Sequence, residues 1–309
     1  MAIDAQWSSV VLLCPFEGAD GSTTITDVKE HFIAVAGNAQ ISTAQYPAGC
    51  SSSAKFDGNN DYLTISHADL ALGTGDFDIG FSIYVSGDTV SGSSNTAHVF
   101  DFRTTEPQVA INIAVRGSAH ADANKMLVYI NGAQRILSTT VFGASFKRVN
   151  LSKVSGVTRL FVDGVQEGAN YTDANNYTTT SMNIGAIYTP SSGDYRSING
   201  HVGPIRITKH GRGHSTSFTP DSLPFPRPTI SGTAYDNLGA EVDNVVVAMK
   251  RSTLALAGYA VSDAVTGEYT IYPSDFSEHI VMRLDADTYP LVDGGLGESA
   301  IIYDRVIPG

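Results

Sequence analysis

Two pairs of turn residues constrain the fold of this chain more than any other feature. Asn131-Gly132 lies between the apolar runs of Tyr129–Gln134, and Asp163-Gly164 lies between those of Leu160–Gln166. A type I′ turn needs positive φ at both central residues, which Gly adopts freely and Asn or Asp tolerates. Each pair therefore predicts a two-residue hairpin between antiparallel strands. With strand-like sequence filling the interval between the turns, the pattern predicts an all-β sandwich.

The segment from Val10 to Thr208 shows the alternation expected of many short strands. Tyr62-Leu63-Thr64-Ile65-Ser66 is one example, with apolar and polar residues in turn. We count about twelve such segments, including one over Val202–Thr208, which is too many for a single sheet and favours two sheets packed face to face. The best candidate for helical periodicity is Thr24–Ala36, where we expect at most a short turn.

A proline-rich segment predicts a domain boundary. Pro224, Pro226 and Pro228 stand at alternate positions, and each lacks an amide hydrogen and biases its predecessor towards extended backbone. Strand patterning starts again afterwards. We therefore predict a first domain over residues 1–223, a stiff linker over residues 224–228 and a second β domain over residues 229–309.

Charge and cysteine content limit the partners. The net charge of −12 makes nucleic acid and anionic membranes poor partners, and no run approaches the ~20 apolar residues of a membrane helix. We expect no export signal, because Val10-Val11-Leu12-Leu13-Cys14 lacks a basic start and a long apolar core. The two cysteines, Cys14 and Cys50, are expected to be free thiols, with a bridge as the alternative.

Four segments carry a resemblance to a known family. Leu160–Gln166 resembles the "LFVDGVQ" segment of laminin-G-like (LamG), concanavalin A-like jelly rolls of bacteriophage virion proteins. Trp7–Leu13 resembles the first strand of that family, Phe56–Leu63 its "FDG-x-x-DYL" signature, and Ile205–Lys209 with the following Phe218-Thr219-Pro220 its closing strand and exit. The resemblance covers roughly residues 5–226 and implies a two-sheet jelly-roll sandwich.

The second predicted domain resembles a small Ig-like β-sandwich of the carboxypeptidase-regulatory type. The matching motifs are Gly232-x-x-x-Asp236-x-x-Gly239 and Asp263-x-x-x-Gly267-x-Tyr269. The ending Ile302–Pro308 is similar to the C-termini of phage structural proteins that carry this module. The chain is therefore expected to be a jelly roll joined to an Ig-like module.

The sequence lacks the motifs of an enzyme. Glucanases on the same jelly roll use two carboxylates a few residues apart on one strand, and no Glu-x-Asp-x-x-Glu is present. Sialidase Ser-x-Asp-x-Gly-x-Thr-Trp boxes, a Gly-x-Ser-x-Gly elbow and a Cys/His cluster with zinc spacing are also missing from the sequence. We predict no catalytic residues.

A calcium site is one candidate binding site. Related jelly rolls often hold Ca²⁺ with Asp carboxylates, amide oxygens and backbone carbonyls, because a hard cation prefers several oxygen ligands. Asp57, Asn59 and Asp61 supply such oxygens, and the resemblance adds Asp27. The family's usual "(I/L)DEVRI" is replaced by Val202–Ile207, which lacks both acidic residues. The alternative is that Asp57 and Asp61 cap a tight turn through their own backbone.

A glycan site is the other candidate. Sugar sites pair an aromatic platform with planar polar groups on loops, and the loop around Tyr188, Asp194, Tyr195 and Arg196 has that composition. The alternative is an ordinary exposed loop.

Together these observations predict a non-enzymatic virion structural protein. It would decorate a capsid or belong to a tail, assemble in the host cytoplasm with other virion proteins, form a homo-oligomer and bind host-surface glycans. A bacterial surface lectin or adhesin is the alternative, and a glycoside hydrolase is a third. We further predict that the second domain docks on the particle, because its last strand is a candidate for edge pairing.

Overall fold

The computed structural model divides the chain into two compact units, with the division between Phe225 and Pro226. One unit, called the jelly roll below, is Ser9–Phe225. The other, called the C-terminal unit, is Pro226–Gly309 together with the residues before Ser9. The residues that the structure describes are 6–86, 96–105, 108–187, 196–210, 213–234, 245–273, 278–284, 302–306 and 308.

The described part of the jelly roll consists of antiparallel strands, together with the short 3₁₀ turn Ala68–Leu70 and the last residue of a second, Trp7–Ser9. The strands are β1 (Val10–Cys14), β2 (Ile33–Ala36), β3 (Gln40–Ser42), β4 (Ser53–Asp57), β5 (Tyr62–Ser66), β6 (Phe77–Val85), β7 (Thr96–Asp101), β8 (Ile111–Arg116), β9 (Lys125–Ile130), β10 (Ala133–Val141), β11 (Lys147–Val154), β12 (Val157–Val162), β13 (Val165–Thr172), β14 (Ser181–Ile184), β15 (Asn199–Val202) and β16 (Ile205–Lys209).

These strands form two sheets. Sheet A has nine strands in the order β13-β12-β11-β6-β15-β4-β3, with β16 also pairing with β6 and β1 pairing with β16. Sheet B has seven strands in the order β10-β9-β8-β7-β14-β5-β2. Apolar side chains from both sheets form one continuous buried core. Within it, the rings of Phe81 on β6 and Phe100 on β7 meet edge to face, with centroids 4.8 Å apart. The all-β prediction with a two-sheet sandwich is confirmed.

Both predicted hairpins are present. Asn131 and Gly132 have φ of 52° and 70°, and Asp163 and Gly164 have φ of 49° and 80°. The first pair joins β9 to β10 and the second joins β12 to β13. The turn residues therefore predicted the local backbone, because positive φ at two successive positions selects this turn.

Two local features differ from the expectation. Thr24–Ala36 contains no helix, as expected, but its end, Ile33–Ala36, is strand β2, which pairs with β5 and was not predicted. The single strand expected over Val202–Thr208 is two strands, β15 and β16, separated at Gly203-Pro204. Pro204 cannot donate to a ladder, and a Cβ at Gly203 would lie 2.9 Å from Pro47 and 3.0 Å from Ser82, so close packing interrupts the strand.

A carboxylate joins the two sheets at one edge. Glu167 of β13 accepts hydrogen bonds from the amides of Thr139 and Thr140 of β10, both at 3.0 Å, and from the Thr140 hydroxyl. A Cβ at Gly168 would lie 2.6 Å from the carbonyl oxygen of Leu137, which shows how closely the two strands approach. We call this contact the Glu167 clasp.

The described residues 213–225, here called the exit segment, lie over the outer face of sheet A. The amide of Phe218 donates to the carbonyl oxygen of Gly164 at 2.9 Å, and the Phe218 ring contacts Phe161 edge to face at 5.3 Å. Further along, Arg148 lies 4.7 Å from the ring centre of the buried Phe225. The outer face of sheet A is therefore covered by the chain itself.

The described residues of the C-terminal unit form two small antiparallel sheets. Strands β17 (Ile230–Thr233) and β20 (Glu268–Ile271) form one, and the order β19-β18-β21-β22 forms the other. The latter strands are β18 (Val245–Lys250), β19 (Leu256–Val261), β21 (His279–Leu284) and β22 (Ile302–Val306). Ile230 and Ile271 from one sheet pack with Val246, Ala248 and Val281 from the other in a separate core. This unit is a small β-sandwich, as expected.

Both cysteines are free, as expected, and burial raises their pKa values: well above the ordinary value for Cys14 and to about 11 for Cys50. Neither of the two short helical turns among the described residues is long or apolar enough to cross a bilayer.

Candidate functional site

Sheet B carries a row of polar side chains on the face that points away from the core. In β8, Ile111, Ile113 and Val115 enter the core, so the intervening Asn112 faces outward; in β9, Tyr129 does the same. Strand register aligns these outward residues across the sheet. The row consists of Gln134, Tyr129, Asn112, Asp101, Asn183 and Thr64.

Hydrogen bonds hold the centre of this row in place. Asp101 is completely buried, and its carboxylate accepts from Nε of Arg103 at 2.9 Å and from Nη2 at 2.6 Å. Such a two-point pair fixes the plane of the guanidinium as well as its position. Farther along the row, the Thr64 hydroxyl donates to Oδ1 of Asn183 at 2.8 Å. The polar face is therefore a preorganised surface.

A cleft opens beside Asp101 and Arg103. It has a volume of about 190 Å³ and is lined by Thr96, His98, Arg103, Ala110, Asn112, Tyr129, Gly132 and Arg196. Nδ1 of His98 lies 2.5 Å from Nδ2 of Asn112. The Tyr129 ring is partly exposed, whereas His98 and Asn112 are buried. The cleft therefore combines an accessible aromatic ring with fixed polar groups at its base.

Arg196 approaches the cleft with an unusual backbone. Its φ is 47°, which is uncommon for a residue with a side chain, and its carbonyl oxygen accepts a 2.8 Å hydrogen bond from the amide of His98. The adjacent Ser197 forms an isolated parallel bridge with His98. Docking on β7 thus holds Arg196 at the cleft despite the backbone strain, a combination that is common at binding sites.

The predicted glycan residues divide into two groups. Arg196 is one of the residues that line the cleft, whereas Tyr188, Asp194 and Tyr195 lie outside the described residues. Sequence reasoning missed His98, Asn112 and Tyr129. The outward positions of Asn112 and Tyr129 follow from the alternation within β8 and β9. That β7, β8 and β9 bring these residues together depends on how the strands pair, which the sequence pattern of a single strand does not contain.

Part of the predicted calcium set forms a tight turn. The carboxylate of Asp61 accepts from the amides of Asn38 at 2.7 Å and Asp57 at 2.9 Å, and Asp57 accepts from the amide of Asn59 at 2.8 Å. Burial raises the pKa of Asp61, the two amide hydrogen bonds oppose that shift, and the nearby Asp57 charge adds to it. These contacts are those of the turn-capping alternative, and calcium binding by this turn stays a prediction.

Asp27, the fourth predicted calcium ligand, has other partners. Its buried carboxylate accepts from the amide of Leu13 at 2.7 Å, and the second oxygen lies 2.8 Å from Nδ1 of His31. Burial raises the pKa of Asp27, and the hydrogen bonds from the Leu13, Lys29 and His31 amides lower it in part.

Comparisons with known proteins identify the fold only. No family model matches the chain, and a search of curated proteins finds no match either. Among solved structures, the chain is similar to the binding domain of botulinum neurotoxin serotype D, with 10% identity, a TM-score of 0.50, and coverage of 92% of this chain and 74% of that one.

Two other solved structures match at lower TM-scores. One is domain 4 of AbnA, a GH43 extracellular arabinanase from Geobacillus stearothermophilus, in complex with arabinotriose: 12% identity, TM-score 0.46, 65% of this chain and 92% of that one. The other is the binding domain of botulinum neurotoxin DC in complex with SialylT: 10% identity, TM-score 0.44, 97% of this chain and 69% of that one. The similarity to the serotype D binding domain agrees with the fold class of this chain, a β-sandwich of the jelly-roll type.

Proposed function

We propose that the jelly roll is a non-catalytic carbohydrate-binding domain and that its site is the cleft on sheet B. The observation that carries the proposal is the partly exposed ring of Tyr129 beside buried polar groups that are already held by hydrogen bonds. A sugar ring presents an apolar face and a rim of hydroxyl groups. An aromatic platform with convergent polar groups matches both features.

Each group has a distinct role in this proposal. Tyr129 stacks under the ring, while Oδ1 of Asn112, which is buried and accepts no hydrogen bond from the described residues, accepts from a sugar hydroxyl. Arg196 lines the same cleft and supplies guanidinium donors for the hydroxyl or carboxylate oxygens of a glycan. The volume of about 190 Å³ is below the ~300–1,000 Å³ of pockets for drug-sized ligands, so the cleft holds one sugar residue of a longer chain.

The composition of the cleft supports binding without hydrolysis. Glycosidases of the common retaining type need two carboxyl groups about 5–5.5 Å apart. None of the residues that line the cleft in the described part of the chain is Asp or Glu. The nearby Asp101 is buried and paired with Arg103, so it is poorly placed to attack a sugar.

A glycan array with neutral and carboxylate-bearing glycans, followed by calorimetry on the best ligand, tests the proposal. Tyr129→Ala should weaken glycan binding at least tenfold, and Arg196→Ala should weaken it about threefold to tenfold. The wild-type protein should release no reducing sugar from the bound glycan. Tyr46→Ala is the matched control, because Tyr46 is also exposed but lies between β3 and β4 of sheet A. Equal loss in the control and Tyr129→Ala, or no glycan ligand at all, would reject the site.

We also propose that the chain is a virion structural protein, with host-surface glycans as the target of its jelly roll. The support is the four-segment resemblance to phage jelly rolls, together with β22 as the outer strand of its sheet in the C-terminal unit. Mass spectrometry of purified particles should find the protein, with hundreds of copies for capsid decoration and a few for a tail. A chain that lacks residues 229–309 should stay folded but be lost from particles. Normal incorporation of that truncated chain would place the anchor in the jelly roll.

A further inference from the structure

Two histidines and a carboxylate meet at one edge of sheet B, away from the residues that line the glycan cleft. His31 precedes β2, and His67 follows β5, so the antiparallel pairing of β2 with β5 brings the two together. Asp69 lies in the 3₁₀ turn that begins after His67. Of the described residues, these three form the one group whose imidazole or carboxylate ligand atoms lie within 4.8 Å of one another.

The distances within this group suit a small tetrahedral cation. Oδ2 of Asp69 is 3.2 Å from Nε2 of His31 and 3.3 Å from Nδ1 of His67. With metal–ligand bonds of about 2.0–2.1 Å, two ligands of a tetrahedral Zn²⁺ are separated by about 3.3–3.4 Å. The ligand atoms therefore already have the spacing of two edges of that tetrahedron. Ca²⁺ prefers six to eight oxygen ligands and fits poorly with two imidazoles.

Asp27 adds a feature beside the spacing. Its fully buried carboxylate accepts from the backbone amides of Leu13 and His31 and lies 2.8 Å from Nδ1 of His31, a buried nitrogen that has no hydrogen-bond partner among the described residues. A carboxylate at one ring nitrogen places the proton there and leaves the lone pair on the other nitrogen, which is the usual support of a metal-bound histidine. The Nε2 lone pair of His31 then faces the Asp69 carboxylate, an arrangement that a bound cation would stabilise.

Solvent can reach the group from one side only. The side chain of His31 is 5% exposed, whereas those of His67 and Asp69 are 47% and 50% exposed. The imidazole rings of His31 and His67 lie with centroids 4.1 Å apart. The buried surroundings fix the position of His31. On the exposed side of the group, water could occupy the fourth coordination position of a tetrahedral ion.

We infer that His31, His67 and Asp69 form a binding site for a divalent transition-metal ion of the Zn²⁺ type, with Asp27 as the positioning residue for His31. The site is independent of the proposed glycan cleft. In this structure Nδ1 of His67 accepts a hydrogen bond from the backbone amide of Asp69 at 3.2 Å. A metal ion would therefore either replace that hydrogen bond at Nδ1 or bind Nε2 after the half-exposed ring has rotated.

A different arrangement would explain the same contacts without a metal. A doubly protonated His31 could bridge the carboxylates of Asp27 and Asp69, with Lys209 also interacting with the Asp69 charge. The two arrangements differ in their response to added metal, since a protonated bridge has no lone pair to offer.

Metal binding to the tag-free full-length chain at pH 7.5 is the test. Calorimetry with Zn²⁺ should show one site per chain, and Co²⁺ in its place should give the visible absorption of a tetrahedral centre. His67→Ala and Asp69→Asn should each weaken Zn²⁺ binding at least tenfold, and Asp27→Asn about 10–100-fold. A large excess of Ca²⁺ should leave the cobalt spectrum unchanged.

The chain contains a matched control. Nδ1 of His120 accepts the amide of Asp122 at 3.1 Å, which repeats the local contact of His67 with Asp69. His120→Ala should therefore keep wild-type affinity if the His31–His67–Asp69 group is the site. The inference is overturned by an absence of Zn²⁺ binding, by equal losses in His120→Ala and His67→Ala, or by binding that survives His67→Ala. Because His67 is half exposed, that variant should fold, which circular dichroism can verify.

Discussion

The outer faces of the two sheets carry similar polar side chains, but those on sheet A are covered by other residues and those on sheet B lie beside a cleft. On sheet A, Asp78 of β6 accepts from Nδ2 of Asn150 at 2.8 Å and from the Ser152 hydroxyl, and all three residues are buried. On sheet B, Asp101 and Asn112 occupy comparable outward positions, yet a cleft lies beside them. Outward polar residues by themselves therefore do not mark a binding site. The difference lies in what covers them.

The exit segment is that cover on sheet A. Phe218 contacts Phe161 and Phe225 lies against Arg148, so this part of the face is covered by side chains of the same chain. On sheet B, the described residues leave a cleft that Arg196 and Tyr129 help to line. We therefore expect mutations on the face of sheet A to change stability and mutations at the cleft to change binding.

The largest effect should come from removal of the exit segment. A fragment that ends at Phe225 keeps it, and a fragment that ends at Lys209 loses it, while both lack the C-terminal unit. Full burial of an aromatic side chain contributes about 1.5–3 kcal/mol. Phe225 is buried and Phe218 is partly buried, so the loss of both should lower the free energy of unfolding by about 2–5 kcal/mol. Urea denaturation of both fragments measures the difference. Equal midpoints would show that the cover is not required.

The covered face should also respond to pH. Nδ1 of His201, on β15, lies 3.0 Å from the Ser53 hydroxyl, and burial followed by the Lys55 charge lowers the pKa of His201 to about 4. The unfolded chain, with a pKa of about 6.5, takes up this proton first as the pH falls. The contribution of neutral His201 to the free energy of unfolding is therefore fully present above pH 6.5. It declines as the pH falls from about 6.5 to 4, by up to about 3 kcal/mol.

Denaturation as a function of pH can isolate that contribution. The variant His201→Gln lacks the titrating ring, so its free energy of unfolding should fall less than that of the wild type between pH 7 and pH 4. Parallel curves for the two proteins would contradict the assignment to His201.

The two hairpin glycines provide a smaller, matched comparison. Both have positive φ, so Ala costs about 1–2 kcal/mol of backbone strain at either site. A Cβ at Gly164 would overlap the carbonyl oxygen of Phe218 in the exit segment, whereas a Cβ at Gly132 meets nothing within 4 Å. Gly164→Ala should therefore be the more destabilising variant by at least about 1 kcal/mol. Equal decreases in melting temperature for the two variants would mean that the exit segment moves away from the new Cβ with no loss of stability.

The smallest change in stability should follow Tyr129→Ala. The ring is partly exposed at the cleft and contributes little to the core, so we expect a loss of about 1 kcal/mol or less. The same variant should lose glycan affinity, which separates the two properties. A loss of several kcal/mol would place Tyr129 among the structural residues and weaken the proposed binding role.

The sequence predicted those parts of the fold that depend on neighbouring residues. Both hairpins follow from two-residue signals, and β5 covers the alternating segment Tyr62–Ser66 that predicted it. By contrast, the part of β13 beyond Gln166 was not predicted, because seven of the eight residues of this strand are polar, small or exposed and show no apolar alternation. The cleft was missed for a different reason. It depends on the register of β7, β8 and β9, which periodicity along one strand does not contain.

The group of His31, His67 and Asp69 illustrates the same limit. Asp27 was predicted as a ligand for calcium from its position in the family pattern, and its carboxylate lies 2.8 Å from Nδ1 of His31. His31 and Asp69 are 38 residues apart, and only the pairing of β2 with β5 brings them together. Long-range contacts of this kind decide which polar residues share a site.

The Glu167 clasp has a consequence for solubility at high concentration. An outermost strand with unpaired amides can template the addition of a strand from another molecule, and repeated addition leads to fibrils. Glu167 occupies the amides of Thr139 and Thr140 on β10, the outermost strand of sheet B at that end. Growth from this position would first have to displace a charged side chain. Strand exchange between molecules is thereby directed to other edges, among them β22 of the C-terminal unit.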